Sequence, residues 1–159
     1  LGSIWEGTGN IVALDALTRA VARHGAESAL GADLHARLDD SAGVPQAWRD
    51  KLHGLTDKAI DFAREVARHS ENEADARRAT STLYQVASAV AMTWEGARIH
   101  AARGDARRVL LARAVIDHRL TPNDPFKLMT TGAERKIVEH LLGDDALGMV
   151  EAGELLTAA

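Results

Sequence analysis

With 159 residues the chain has the length of about one domain, enough to bury roughly 68–70% of its unfolded surface. Hydrophobic residues make up 46% of it but aromatic residues only 4%, so the core must be built from alanine, leucine and valine, which favours closely packed helices. The absence of cysteine excludes disulfides and thiolate zinc sites and fits a cytoplasmic protein, and a net charge of −4 gives no global basic signal for nucleic acid.

The chain opens on Ile4-Trp5-Glu6-Gly7-Thr8-Gly9-Asn10, a glycine-flexed loop that carries one carboxylate straight into an apolar-periodic helix. Gly7 and Gly9 let the backbone turn sharply and approach a ligand closely. Thr8 and Asn10 are good helix caps, and the N–H groups left free at a helix start attract anions. Burial against Trp5 would raise the pKa of Glu6 towards that of a base for a weakly acidic C–H, while the helix start pulls the other way. Taken alone, the same residues also read as a turn and cap with Glu6 in solvent. No Gly-x-Gly-x-x-Gly or Gly-Lys-Ser/Thr phosphate motif accompanies them.

The first helix is expected over Asn10 to His24, with Ile11, Leu14, Leu17 and Val21 along one stripe and Gly25 as its stop. A second helix covers about Glu27 to Leu38 and ends at the turn from Asp39 to Pro45. Trp48, Leu52, Leu55, Ala59, Phe62 and Val66 then recur at spacings of four and three, a core-facing seam over about five turns. Ser70-Glu71-Asn72-Glu73 is a capping box for a helix that runs unbroken from about 71 to 103, roughly 50 Å at about 1.5 Å per residue. Leu83, Val86, Ala87, Val90 and Trp94 form its stripe, flanked by Ala89, Ala91 and Ala97.

Gly104-Asp105 breaks the chain and caps the next helix, Ala106 to Arg119, which is apolar on most sides and should be buried between neighbours of this or another subunit. Asp124-Pro125 is a helix-start pair. Thr131-Gly132-Ala133-Glu134 is a second capping box, opening a short helix that ends at Gly143. Residues 144–159 are acidic and alanine-rich, a short helix or a frayed tail. The pattern therefore predicts an all-α fold, an antiparallel helical bundle with one very long helix and crossing angles near about 20°. No apolar run approaches the ~18 residues of a membrane span, and no signal peptide precedes the first helix.

The run Trp5-Glu6-Gly7-Thr8-Gly9-Asn10-Ile11-Val12-Ala13-Leu14-Asp15-Ala16-Leu17 resembles the glutamate loop and following helix of the flavin-dependent acyl-CoA dehydrogenases. A looser likeness extends to Trp94-Glu95-Gly96-Ala97-Arg98 and to the turn Gly104-Asp105-Ala106-Arg107-Arg108. The resemblance implies the C-terminal helical portion of a larger three-domain flavoenzyme of the cytoplasm, in keeping with a chain that starts at Leu1, and with arginine-rich usage typical of a GC-rich bacterial genome. It makes Glu6 the general base that removes the α-proton of an acyl-CoA thioester, with Trp5 and Gly7 against the substrate. Thr8, Gly9 and Asn10 would touch the FAD, which accepts the β-hydrogen as hydride.

The family's helical domain also forms the core of a homo-oligomer, commonly a tetramer, and an electron-transfer partner would reoxidise the flavin. The chain alone should be inactive. About 150 residues follow the loop, more than in the short-tailed metabolic members, and this length is similar to the branch that includes the bacterial alkylation-response flavoproteins. Some of that branch associate with DNA, so a DNA-associating module is the second expectation and a helical interaction domain without catalysis the third.

Two further groups carry chemistry. Arg98, Arg103, Arg107, Arg108, Arg113 and Arg119 crowd a stretch whose only acids are Asp105 and Asp117. Arg107 and Arg108 are therefore candidates for phosphate or DNA contact, and the alternative is a solvated helix end with cations at the negative pole of the dipole. The seven histidines show no i, i+4 pair and no His-Glu-x-x-His, so no metal site is expected. Trp48 and Trp94 read as core residues rather than stacking platforms.

Overall fold

A computed structural model describes residues 9–121, 126 and 132–158, and of Ser70 the backbone alone. Within them every regular element is helical: α1 (Gly9–Asp15), α2 (Ala26–Asp39), α3 (Gln46–Arg68), α4 (Ala76–Arg103), α5 (Arg107–Val115), α6 (Gly132–Leu142) and α7 (Met149–Thr157). α1 and α5 each run on into a π-helical turn, Ala16–Val21 and Ile116–Leu120, and a 3-10 turn, Ser70–Asp75, leads into α4. The long helical stretch over 71–103 thus forms as expected, with its first residues wound more tightly than the rest.

Local chemistry sets the breaks. Gly25 and Gly104 adopt φ of 59° and 74°, the left-handed region that ends helices cheaply only at glycine. Pro45 stands ahead of α3, and its carbonyl accepts the N–H groups of Trp48 at 3.1 Å and Arg49 at 3.2 Å. At the start of α5, Asp105 accepts the N–H of Arg107 at 3.0 Å, which is the cap expected of that residue. The capping roles of Ser70 and Thr131 and the Asp124-Pro125 start lie outside the described residues.

α3, α4 and α5 form the centre, α2 packs on α3 and α4, and α7 closes the far side against α5 and α3. The main core includes Leu38, Trp48, Leu52, Val86, Val90, Val109, Leu110, Ile116 and Leu147, each 2% exposed or less. Trp48 donates its indole N–H to the buried Thr93 hydroxyl at 3.2 Å, tying α3 to α4 inside it. α4 and α5 approach closely because position 96 has no side chain: a Cβ there would lie 2.6 Å from Val109 Cγ1 and 2.9 Å from the Val109 nitrogen. A smaller cluster of Ala13, Leu17, Ala63, Val66, Ala76 and Ala79 holds α1 against α3 and α4.

Several expected faces are turned. On α1 the face at i, i+4 spacing, Ala13 and Leu17, takes the core while Ile11 and Val12 stand 57% and 48% exposed. Along α3, Thr56, Ile60 and Ala63 join the buried seam and Leu55 and Phe62 move to its flanks. On α4 the centre belongs to the small residues Ala89, Thr93, Gly96 and Ala97, with Leu83 and Trp94 at the margin. Helices that approach this closely leave no room for large side chains between them.

The neighbours that bury α5 come from this same chain. Of the two expectations for residues 144–159, the short helix is what forms: Met149, Ala152, Gly153, Leu155 and Leu156 are buried, and the glycine faces Pro45. Among the described residues no helix is long and apolar enough to cross a membrane.

Candidate functional site

Trp5, Glu6, Gly7 and Thr8 lie outside the described residues, so the described part of the candidate site begins at Gly9 and Asn10. Both are exposed at the start of α1, where nothing stands within 4 Å of a Cβ built on Gly9. Asn10 lines an open groove of about 290 Å³ with Leu14, Glu73, Ala74, Ala76 and Arg77, between α1 and the head of α4. Its lining is mixed, with the exposed guanidinium of Arg77 and the exposed carboxylate of Glu73 beside Leu14 and the two alanines.

The arginine-rich stretch is largely paired internally. Arg107 grips the Asp105 carboxylate through Nε at 3.0 and 3.1 Å and through Nη2 at 2.8 Å, and also donates to the Gly143 carbonyl. These bonds, with further N–H donors from the Arg107 and Leu147 backbones, outweigh burial and hold the Asp105 carboxyl down at about 2. Arg108 places Nε and Nη2 at 2.9 and 2.6 Å from Glu95 Oε2. Arg113 binds Asp117 at 2.9 Å and the Leu155 carbonyl. The Nε–Nη2 edges of Arg107 and Arg108 are thus both taken by carboxylates of this chain.

Arg98 belongs to a different group: its guanidinium lies over the Trp94 ring at 4.4 Å from the ring centre, and that of Arg37 at 4.8 Å. The Trp94 N–H and the Arg98 guanidinium both donate to Asp40, at 2.8 and 2.7 Å, and hold its carboxyl below the usual range. Trp48 is the core residue expected, whereas Trp94 is half-buried with two guanidiniums within 5 Å of its ring centre.

One cluster was not anticipated. His35 on α2 and His53 on α3 face one another with their Nδ1 atoms 2.6 Å apart. The His35 Nε2 lies 3.0 Å from Asp57 and the His53 Nε2 lies 3.4 Å from Asp39. Each imidazole is thus held by the carboxylate four residues beyond the other. The signal in the sequence is a doubled His-x-x-x-Asp, His35 to Asp39 and His53 to Asp57, on two adjoining helices. A search for histidines paired with histidines on one helix passes over it.

A second buried feature is Glu27, whose Oε1 accepts Arg64 Nε at 3.0 Å while Oε2 has no partner. Burial alone would push this carboxyl up, but the bonds from Arg64, its own backbone N–H and Ser28 prevail and hold it down. No family model matches the chain, and no curated protein or solved structure matches it.

Proposed function

We propose that the chain is the C-terminal helical portion of a cytoplasmic, acyl-CoA dehydrogenase-like flavoenzyme in which Glu6 removes the α-proton of an acyl-CoA thioester. The observation that carries this reading is the thirteen-position run from Trp5 to Leu17, which sets a carboxylate on a glycine-flexed loop at the head of a helix. The open groove beside Asn10 and the exposed Ile11 and Val12 support it, because both leave ligand-sized and apolar surface next to that loop for the rest of a larger site.

FAD, when bound, supplies the two-electron acceptor for the β-hydrogen. This chain's share is to set Gly9 and Asn10 at the flavin edge, to offer Arg77 to its phosphates and to hold the base. Burial of Glu6 against Trp5 and an apolar ligand would favour its neutral form, whereas the nearby helix start would favour the charged one. The thioester and most of the flavin would be gripped elsewhere in the protein, so the chain alone is inactive. The exposed Leu142 and Val150, each 82% accessible, are surfaces that a homo-oligomer would cover.

In the full-length flavin-loaded protein, Glu6→Gln is expected to retain flavin and to abolish deuterium exchange at the α-carbon of a bound acyl-CoA. Exchange at the wild-type rate would remove Glu6 from the chemistry and leave a helical interaction domain as the reading.

A further inference from the structure

His35 and His53 meet through their Nδ1 atoms, 2.6 Å apart, and the partner of His35 decides where the hydrogens sit. A neutral imidazole has one N–H donor and one acceptor nitrogen, and a carboxylate only accepts. His35 Nε2 lies 3.0 Å from Asp57, a full hydrogen bond, so it carries that ring's hydrogen and leaves Nδ1 as a lone pair. His53 then supplies the hydrogen between the rings from its own Nδ1. The reverse assignment would set a bare His35 Nε2 against the Asp57 carboxylate at 3.0 Å, which is repulsive. Two neutral rings thus form a one-way chain, from His53 through His35 to Asp57, and the far nitrogen of His53 is left as an acceptor.

That nitrogen faces a second acceptor. Asp39 Oδ1 stands 3.4 Å from His53 Nε2, with no hydrogen between them. A lone pair and a carboxylate at this distance call for a bridge. A water or ammonium about 2.8 Å from each would have to donate two hydrogens at about 75°, well inside its bond angle. A zinc ion about 2.0–2.1 Å from each would see them about 110° apart, which is its tetrahedral preference.

The surroundings favour a cation at that point. Asp39 is the last residue of α2, where the free carbonyls carry the negative pole of the helix dipole. The His53 and Asp39 side chains are 26% and 75% exposed, so an ion and its waters have access from solvent. A metal-binding imidazole is ordinarily held by a hydrogen bond from its other nitrogen, which fixes the tautomer and strengthens the ligand. His35, itself backed by Asp57, does this for His53.

We propose that His53 Nε2 and the Asp39 carboxylate bind one divalent transition-metal ion of the zinc, copper or nickel kind. Among the described residues no third histidine or carboxylate joins them, and neighbouring Asp40 is taken by Trp94 and Arg98. Water fills the other positions, so the ion is exchangeable and keeps open coordination sites. An imidazole ligand selects against calcium and magnesium, which take oxygen ligands. The site draws nothing from the loop at Glu6 and is independent of the chemistry proposed there.

Nitrogen-15 NMR of the chain with labelled histidine rings tests the site in two stages. Without metal, His35 should hold its hydrogen on Nε2 and His53 on Nδ1, and the opposite tautomer of His53 would overturn the proposal. On addition of zinc chloride, His53 Nε2 should shift first among the seven histidines and saturate at one ion per chain, whereas calcium chloride should leave it in place. Calorimetric titration with zinc should show binding at least about 10-fold weaker in Asp39→Asn, and about 10–100-fold weaker in His35→Gln, which keeps both ligands. Unchanged zinc affinity in Asp39→Asn, or a first shift at another histidine, would contradict the site.

Discussion

The molecule joins two hydrophobic regions of unequal build. The main core, where α3, α4, α5 and α7 meet, is filled by Trp48 and a set of leucines, valines and isoleucines that are almost wholly buried. The smaller region at the α1 end contains four alanines, one leucine and one valine, and it adjoins the exposed Ile11 and Val12. A core of this kind orders a helix with little burial to spare, whereas the main core over-determines its elements. The proposed chemistry belongs to the weakly held end, where loops that must meet a ligand are ordinarily found.

The same truncation placed in each region tests this contrast most severely. Leu110→Ala should cost near the upper end of about 2–5 kcal/mol, because its surroundings cannot collapse. Leu17→Ala should fall near the lower end of about 2–5 kcal/mol, because α1 can settle over the gap. Urea unfolding of both variants measures the difference, and equal costs would make the two regions one core.

The glycines sharpen the comparison. Gly96→Ala gains helix propensity but meets Val109 at both side chain and backbone, so a net loss of about 1–3 kcal/mol is expected. Gly54→Ala on α3 meets nothing within 4 Å and should stabilise by about 0.5–1 kcal/mol. Thermal melts of the two variants should therefore move in opposite directions.

Asp105 joins the head of α5 to the segment before α7, and its side chain is 21% exposed. Its carboxyl is lowered from an ordinary 3.8 to about 2, so the folded state favours the charged form. The stability it adds is present in full above about pH 5 and is lost as the pH falls through about 2. Asp105→Asn should cost on the order of 1–2 kcal/mol at neutral pH, and the gap from wild type should close on acidification. The smallest effect is expected at Arg108→Ala, a half-exposed pair with Glu95, at less than about 1 kcal/mol. In the same variant the affinity for DNA and its salt slope should stay unchanged, since that guanidinium is already bonded to Glu95.

The helical pattern of the sequence was legible where one long apolar seam faces one core. Trp48, Leu52, Ala59 and Val66 on α3 are buried as their spacing predicts. It misled on α1, where hydrophobicity favours Ile11 but the buried face at i, i+4 spacing is that of Ala13 and Leu17. It misled again on α4, where hydrophobicity favours Leu83 and Trp94 but close approach to α5 favours Gly96 and Ala97. The docking of α7 was hidden because an acidic, alanine-rich composition resembles a solvated tail until Gly153 meets Pro45.

The candidate site divides in the same way. Glu6 is conspicuous in the sequence and lies outside the described residues, so its chemistry rests on the resemblance alone. Arg107 and Arg108 look like a cationic face when counted along the chain, but Glu95 and Gly143 reach them only through tertiary packing. The imidazole pair needs two helices to meet, although its doubled His-x-x-x-Asp was present to be read.

Anaerobic addition of a saturated acyl-CoA to the flavin-loaded full-length protein tests the role of the loop most directly. The wild type should bleach the flavin absorbance, and Glu6→Gln should keep its flavin yet bleach at least about 10²-fold more slowly. Bleaching of the Glu6→Gln variant at the wild-type rate would contradict the assignment of the base.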